Sequence, residues 1–465
     1  MLASRREFKA ALKYIQCNQE RIKMEMLARH RSTCNFVDFW KETKKLNNKN
    51  CVPVSVEGER NKKNIANLFK DHFNVPNKQN SVISKSKSKL QSSRSETCHE
   101  TVSPKQIELI LRYMKREELT RALVVPITKN KTGDISSVAN YRPISLATIV
   151  AKVLERVIHS YTSAVGIDDG QFGFRPQVST DMAIFALKQV VSYYKQGNTT
   201  VYGCFLDLSR AFDTLNHDLL WKKVRDTSVP SEIVGLLEYW YRNQTNNVRW
   251  GNELSDCYQL PCGVRQGGLT SPDLFNIYIN DLIGELSRTP VGLRSGEVPQ
   301  NVPVVCVNGQ PVKVVDNFKY LGHIVTSRLK DDADIERQRR ALCVVGNMIA
   351  RKFKCAAPDV RITLFKAFCQ SFYTCQLWTN YTKKSHDGIR VAYNNVFRIL
   401  MGLKRYCSAS EMYAEARVDS FNAIQRKRIA SFMSRVDTCN NGIIRSLSAR
   451  LMQSAMYRRW VDIAT

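Results

Sequence analysis

The run VYGCFLDLSRAFDTLNHDLLWKKV, Val201 to Val224, sets the tightest limit on what this chain can become. β-branched, aromatic and aliphatic residues fill its first half, a composition that suits a strand. The run then meets Asp207 and turns helical, so an α+β centre is expected around it. A carboxylate closing an apolar strand suits a magnesium site for phosphoryl transfer, and such a site needs more than one carboxylate.

The same reading extends along the chain. Residues 1–75 read as basic, loosely amphipathic helices, ending in NIANLFKDHF, where Ile65, Leu68, Phe69 and Phe73 share a face. Residues 76–104 are rich in Ser, Lys and Asn and predict a disordered linker, because they offer too little apolar surface to offset ordering. A helix follows from an N-cap at Ser103, then the strand ALVVPI, a turn at TKNKTGD, and an extended segment that continues as a helix in NYRPISLATIVAKVLERVIHSY. Asn308-Gly309 between β-branched runs is the strongest short hairpin signal in the chain. From about Asp331 onward the pattern is helical and basic, with Leu364, Phe368, Phe372 and Cys375 recurring every three or four residues.

The 465 residues carry 70 Lys and Arg against 42 Asp and Glu, a formal charge of +28, spread along the whole length. That surplus implies a polyanionic partner, nucleic acid above all. The 14 cysteines form no C-x-x-C pair, which speaks against zinc knuckles and a disulfide framework. Most are expected to be buried as small hydrophobes in a reducing compartment. The N-terminus has no apolar signal core and no run reaches the length of a membrane span, so an intracellular location is expected, cytoplasmic or nuclear, without a membrane partner.

Five segments in order carry a family resemblance. FLDLSRAFDTLNHDLL resembles the first catalytic motif of reverse transcriptases. LPCGVRQGGLTSPDLFNIYIND, with its G-x-x-Q-G-x-x-x-S-P-x-L-F, resembles the motif of that family that flanks the nascent base pair. NYRPISL and DDGQFGFRPQVSTDMA resemble its fingers motifs, and DNFKYLGHIVT its primer-grip hairpin. The nearest likeness is to polymerases of non-LTR retrotransposons of the jockey-like kind, from Leu123 to the C-terminus.

The resemblance implies a right-hand polymerase fold, α+β in the palm and fingers and followed by an all-helical basic thumb. It assigns 105–200 to fingers, 201–330 to a palm with the primer grip, and 331–465 to the thumb. It makes Asp207 the catalytic, metal-binding aspartate and the carbonyl of Leu208 a second contact to Mg²⁺. It makes Phe212 the steric gate and puts Gln266 and Gly267 beside the incoming nucleotide. Asp213 caps or orients the helix that follows. Lys152, Arg175 and Arg142 become candidates for triphosphate or template phosphates, with the roles undivided among them. Tyr320, Leu321 and Gly322 become the turn that holds the primer end. Arg337, Arg339, Arg340, Arg351, Lys352 and Lys354 become candidates for tracking the duplex. RNA template, DNA primer and deoxynucleoside triphosphates become the partners.

One part of the pattern is missing. The family's third motif, with its aspartate pair, belongs between FNIYINDLI and the primer grip. Here that interval reads GELSRTPVGLRSGEVPQNVPVV and has no aspartate. Seams are expected near Arg294-Ser295 and near Arg116-Glu118. Asp168-Asp169 and Asp331-Asp332 are expected to be ordinary surface charge rather than replacements. The expectation is therefore an incomplete palm and a polymerase that is inactive or severely impaired. The alternatives are a non-catalytic nucleic-acid-binding remnant, an active enzyme with a real exon missing from this sequence, or a basic structural or interaction protein with no nucleic-acid role.

Overall fold

The computed structural model describes residues 14, 18–47, 53–75, 120–130, 133–199, 201–288, 306–307, 310–311 and 313–464. The linker at 76–104, the helix expected from Ser103, both seams and Asn308-Gly309 themselves lie outside the described residues. The fold is mixed α+β, and it forms two compact units, each discontinuous in sequence. One comprises residues 1–50, 176–202 and 293–465; the other comprises 51–175 and 203–292.

In chain order the elements begin with α1 (Gln19–Ser32), α2 (Phe36–Asn47) and α3 (Lys62–Phe73). Then come β1 (Arg121–Thr128), β2 (Tyr141–Ala147), α4 (Ile149–Thr162), α5 (Thr180–Gln196), α6 (His217–Arg225) and α7 (Ser231–Asn243). Strands β3 (Thr245–Trp250), β4 (Glu253–Leu254) and β5 (Tyr258–Gln259) precede α8 (Ser271–Arg288). Two hairpins follow, β6 (Cys306–Val307) with β7 (Gln310–Pro311), and β8 (Asn317–Tyr320) with β9 (His323–Thr326). Helices α9 (Asp332–Lys352), α10 (Pro358–Cys369), α11 (Lys383–Met401), α12 (Ala409–Ala416), α13 (Phe421–Asp437), α14 (Gly442–Ser448) and α15 (Ala455–Ala464) complete the chain.

The unit of 51–175 and 203–292 is built on a sheet of order β2-β1-β3-β4, with β5 on β3. β1 runs antiparallel to β2 and parallel to β3. The ALVVPI strand and the passage from extended segment to helix within NYRPISLATIVAKVLERVIHSY appear as the sequence predicts, the helix starting after Thr148. Part of the turn expected at TKNKTGD lies outside the described residues. Thr148 caps α4 by accepting the amide of Ala151. One face of the sheet buries Val124, Tyr141, Val248 and Trp250 against Ile65, Phe69 and Phe73 of α3. A second core joins α4, α6, α7 and α8 through Leu154, Ile158, Leu220, Trp240, Leu274 and Ile277.

The strand expected at Val201–Asp207 is not formed. Residues 201–208 have no regular structure, and Leu206 and Leu208 are 73% and 60% exposed. A strand exists only through ladder bonds to neighbours, and among the described residues no strand pairs with this segment. Apolar composition gave it strand character but could not supply a partner.

The other unit is helical. α1 and α2 bring Leu27 and Phe39 into a core with Phe365, Trp378, Tyr393 and Phe397. α10 ends at Cys369, so Phe372 and Cys375 reach that core from beyond its end and Phe368 stays exposed, breaking the single periodic face expected. α9 and α11 approach closely at Gly346, where a Cβ would stand 2.5 Å from Val396 Cγ1. Of the described cysteines, Cys34, Cys204, Cys257, Cys306 and Cys355 are exposed and only Cys262, Cys369, Cys375 and Cys439 are buried. Most therefore do not serve as core hydrophobes, contrary to expectation. Turns, irregular stretches such as 201–208 and the short strand β6, which carries Cys306, leave the exposed ones at the surface.

A second correction concerns Asp331, which is 1% exposed rather than a surface charge. Its carboxylate accepts from Lys188 Nζ of α5 at 2.6 Å and from the amides of Thr379 and Asn380. His323, at the start of β9, lies 3.5 Å from Asp331 and 3.2 Å from Asp334, and is itself buried. Trp378 Nε1 and Arg337 also donate to Asp334. Asp332 accepts from the Thr382 amide and hydroxyl and the Ser385 hydroxyl. Burial alone would discharge His323, but hydrogen bonds to Asp331 and Asp334 outweigh it and raise its pKa above the ordinary 6.5. Burial likewise opposes the charge on Asp334, yet His323, Trp378 and Arg337 bring its pKa down to about 2.

The signs fix the pH window. His323 contributes fully below 6.5, its ordinary value, and that contribution fades as pH rises through its folded-state pKa. Asp334 contributes fully above 3.8 and loses its contribution as pH falls towards 2. In urea unfolding, Lys188→Met is expected to cost about 3–5 kcal/mol, because it strands a buried carboxylate. His323→Gln is expected to flatten the decline in stability above pH 6.5 seen in the parent chain. An unchanged pH profile in that variant would count against the buried network.

Candidate functional site

The glycine-rich segment 263–268 is held from several sides within its unit. Gly263 donates its amide to the Leu215 carbonyl and Val264 to the Phe212 carbonyl, each at 2.7 Å. On the other side the Ser145 amide donates to the Gln266 carbonyl at 2.7 Å, which attaches the segment to β2. At Gly263, φ is +85° and a Cβ would stand 2.7 Å from the carbonyl oxygens of Phe212 and Asp213. Only glycine fits that approach. His217 reinforces it by donating from Nε2 to the Gly263 carbonyl at 2.7 Å, and burial lowers the pKa of that ring.

Arg265 is the anchor that sequence reasoning missed. Its guanidinium donates to Glu155 of α4 at 2.7 Å, with both side chains 2% exposed, and lies 4.3 Å from the centroid of the Trp240 ring. Glu155 also accepts the Leu269 amide at 3.3 Å. The signal available in sequence was an arginine between glycines, which does not reveal a partner 110 residues away.

These contacts shape a cleft of about 510 Å³. Lys152, Phe212, Gln266 and Gly267 line it together with Phe174. Phe212 is half-buried, tilted on Phe275 at 5.0 Å between ring centroids and edge-on to Phe174 at 5.7 Å. Gln266 donates from Nε2 to Asp213 Oδ1 at 2.7 Å. Asp213 thus holds Gln266 rather than capping α6, whose cap is Asn216. Burial raises the Asp213 pKa against the pull of that hydrogen bond. Lys152 is exposed on α4 and has no ion-pair partner among the described residues.

The other candidates lie elsewhere. Arg142 is exposed on β2 and does not line the cleft. Arg175 turns into its own loop, donating to the carbonyls of Asp168 and Gln171 and pairing with Asp169 at 3.4 Å. Asp168 accepts the Gly170 amide, so neither acid of that pair is a spare ligand. In the helical unit, Tyr320, Leu321 and Gly322 form the tight connection of the β8–β9 hairpin. Leu321 and Gly322 have φ of +46° and +86°, as a primed hairpin turn requires. The Leu321 carbonyl accepts from Tyr373 Oη at 2.8 Å. Arg337 is tied to Asp334, and Arg339 and Arg340 are tied to Glu336, leaving less of their charge free for a duplex than composition suggests.

Asp207 and Leu208 are both exposed on the irregular segment. Among the described residues, no three His, Cys, Asp or Glu side chains gather as a metal-binding group. Magnesium takes about six oxygens in near-octahedral order, and one exposed carboxylate on an unpaired segment does not fit that demand. No helix among the described residues is long and apolar enough to cross a membrane.

Residues 127–306 match the family described as reverse transcriptase (RNA-dependent DNA polymerase). The chain carries a reverse-transcriptase domain. More particularly, the domain is of the non-LTR retrotransposon type, as its relatives indicate. One is the "Probable RNA-directed DNA polymerase from transposon X-element" of Drosophila melanogaster, 23% identical over 384 residues, covering 69% of this chain and 42% of the relative. The RNA-directed DNA polymerase from mobile element jockey of Drosophila funebris is 21% identical over 413 residues, with 74% and 44% covered. A Pol polyprotein from retrotransposable element R2 of Popillia japonica is 25% identical over 190 residues, with 40% and 26% covered. The chain spans less than half the length of each. In the two long alignments the aligned positions outnumber the residues this chain contributes, so those relatives carry residues with no counterpart here. The R2 alignment has almost no such excess.

The close approach at Gly263 yields a direct test. Gly263→Ala is expected to destabilise by more than the roughly 1–3 kcal/mol of backbone strain alone, since a clash with two carbonyls adds to it. Gly166→Ala, where a Cβ meets nothing within 4 Å, serves as the near-neutral control in the same urea titration.

Proposed function

We propose that this chain is a remnant of a non-LTR retrotransposon polymerase that keeps a nucleic-acid cleft but has lost RNA-templated DNA synthesis, wholly or nearly so. The observation that carries this reading is Asp207: an exposed carboxylate on an unpaired segment, with no group of three or more acidic, His or Cys side chains gathered as a metal site among the described residues. Phosphoryl transfer rests on positioning and electrostatics, so a metal site short of its anionic ligands forfeits most of the rate. The aspartate-free interval 284–305 supports a loss at the position of the third motif, and the extra residues of the longer relatives are compatible with an internal loss without locating it.

The cleft supports retained binding. Lys152 supplies an uncommitted charge, Gly267 allows close backbone approach, and Gln266 is held in place by Asp213. In this reading the sheet unit corresponds to fingers and part of a palm. The β8–β9 hairpin and the basic helices correspond to primer grip and thumb. RNA template and DNA primer are the partners, and Phe212 is the steric-gate counterpart.

Primer extension on an RNA template with Mg²⁺ and all four deoxynucleotides tests the reading. Neither the parent chain nor Asp207→Ala is expected to extend the primer above background, while the same chain retards labelled RNA in a salt-dependent way. Extension that disappears in Asp207→Ala would show that catalysis survives and sink the proposal. Sequencing the transcript across Leu293 to Gly296 tests the alternative of an omitted exon.

A further inference from the structure

We propose that Phe174 is a stacking platform for an unpaired nucleobase of a single-stranded nucleic acid entering the cleft. The inference rests on the nucleic-acid reading above and adds a residue and a mode of contact to it. Phe174 is 61% exposed, so its ring contributes little to either core of the unit. Its backbone is in the left-handed region, with φ of +57°. A bulky side chain seldom adopts that conformation, and it persists only where the surroundings impose it.

The surroundings here are explicit. Asn276 and Asn280 of α8 hold the loop from one side. Asn276 donates to the Gly173 carbonyl at 3.0 Å, and Asn280 accepts the Asp168 amide at 2.9 Å. Gln171, buried, donates to the Asn276 carbonyl and the Asn280 side chain. Arg175 closes the loop on itself through the Asp168 and Gln171 carbonyls. Six hydrogen bonds therefore clamp residues 168–175, and the strained residue inside the clamp presents an aromatic ring to solvent.

That ring faces the right chemistry. It stands edge-on to Phe212, lines the cleft with Gln266, and shares it with the uncommitted ammonium of Lys152. An exposed ring beside a free cation is the pairing that single-stranded nucleic acid uses, the base stacking while the phosphate is neutralised. Any base has a face to stack, so the contact is tolerant of sequence.

Anisotropy titrations of the full chain with labelled single-stranded RNA and DNA of one sequence test this, with thermal melting run alongside. Phe174→Gly removes the ring and also relieves the positive φ, so its melting temperature is expected to hold or rise. Its affinity is expected to fall about tenfold, with the slope of affinity against salt unchanged because no phosphate contact is removed. Phe174→Trp is expected to bind as the parent does. An oligonucleotide with abasic positions is expected to weaken binding to the parent but not to Phe174→Gly. Parent-like affinity in Phe174→Gly, or an equal loss in Phe174→Trp, overturns the stacking role and leaves the cleft reading standing. Failure of the parent chain to bind either strand overturns both.

Discussion

Arg265 and Glu155 hold the cleft in its one arrangement. Each is a charge taken almost wholly out of water, a transfer that costs several kcal/mol per ion before pairing. The cost is offset only in one geometry, with the guanidinium on the carboxylate and over the Trp240 ring. Displacing the glycine-rich segment would leave both charges buried and unpaired. The pair thus acts as a register pin: it fixes where 263–268 lies against α4, and through Ser145 where it lies against β2. Gln266, Gly267 and the cleft wall are placed as a consequence.

The helical unit uses the same device with a different cast. Asp331 and Asp334 are buried between Lys188, His323, Trp378 and Arg337, and every partner comes from a separate turn or element. The β8–β9 hairpin is joined to α9 this way, with the Ile324 amide donating to Asp334 at 3.1 Å. Short strands have little stability alone. A two-stranded hairpin with exposed Phe318 and Leu321 is held chiefly by what its turn and His323 contact.

Much of this was legible in the sequence, and the limit has a physical form. The α3 face at Ile65, Phe69 and Phe73 was readable because 3.6-residue spacing is local. The passage from extended segment to helix within NYRPISLATIVAKVLERVIHSY was readable because that change of pattern is local too. The cleft residues Lys152, Phe212, Gln266 and Gly267 followed from motif order, and the structure does bring them together. What failed was non-local. Asp331 reads as a surface acid until Lys188, 143 residues earlier, is placed beside it. Asp213 reads as a cap until Gln266 is placed beside it. Phe174 has no periodic partner to betray it, since its conformation is set by side chains of α8 a hundred residues on.

In the reading proposed above, the glycine-rich loop and the Asp207 segment differ because they depend on different bonds. The glycine-rich loop is fixed by the backbone of Ser145, Phe212 and Leu215 and by the Glu155 side chain, all within its own unit. Asp207 depends on a ladder: an apolar segment becomes a strand, and its final carboxylate acquires a direction, only when neighbouring strands accept its amides. Without such neighbours among the described residues, VYGCFLDL lies open with Leu206 and Leu208 in water. Loss of a flanking hairpin would therefore remove more than the ligands that hairpin carried. Under the proposed reading it would also release the carboxylate that remains, while the contacts that hold the glycine-rich loop would be untouched.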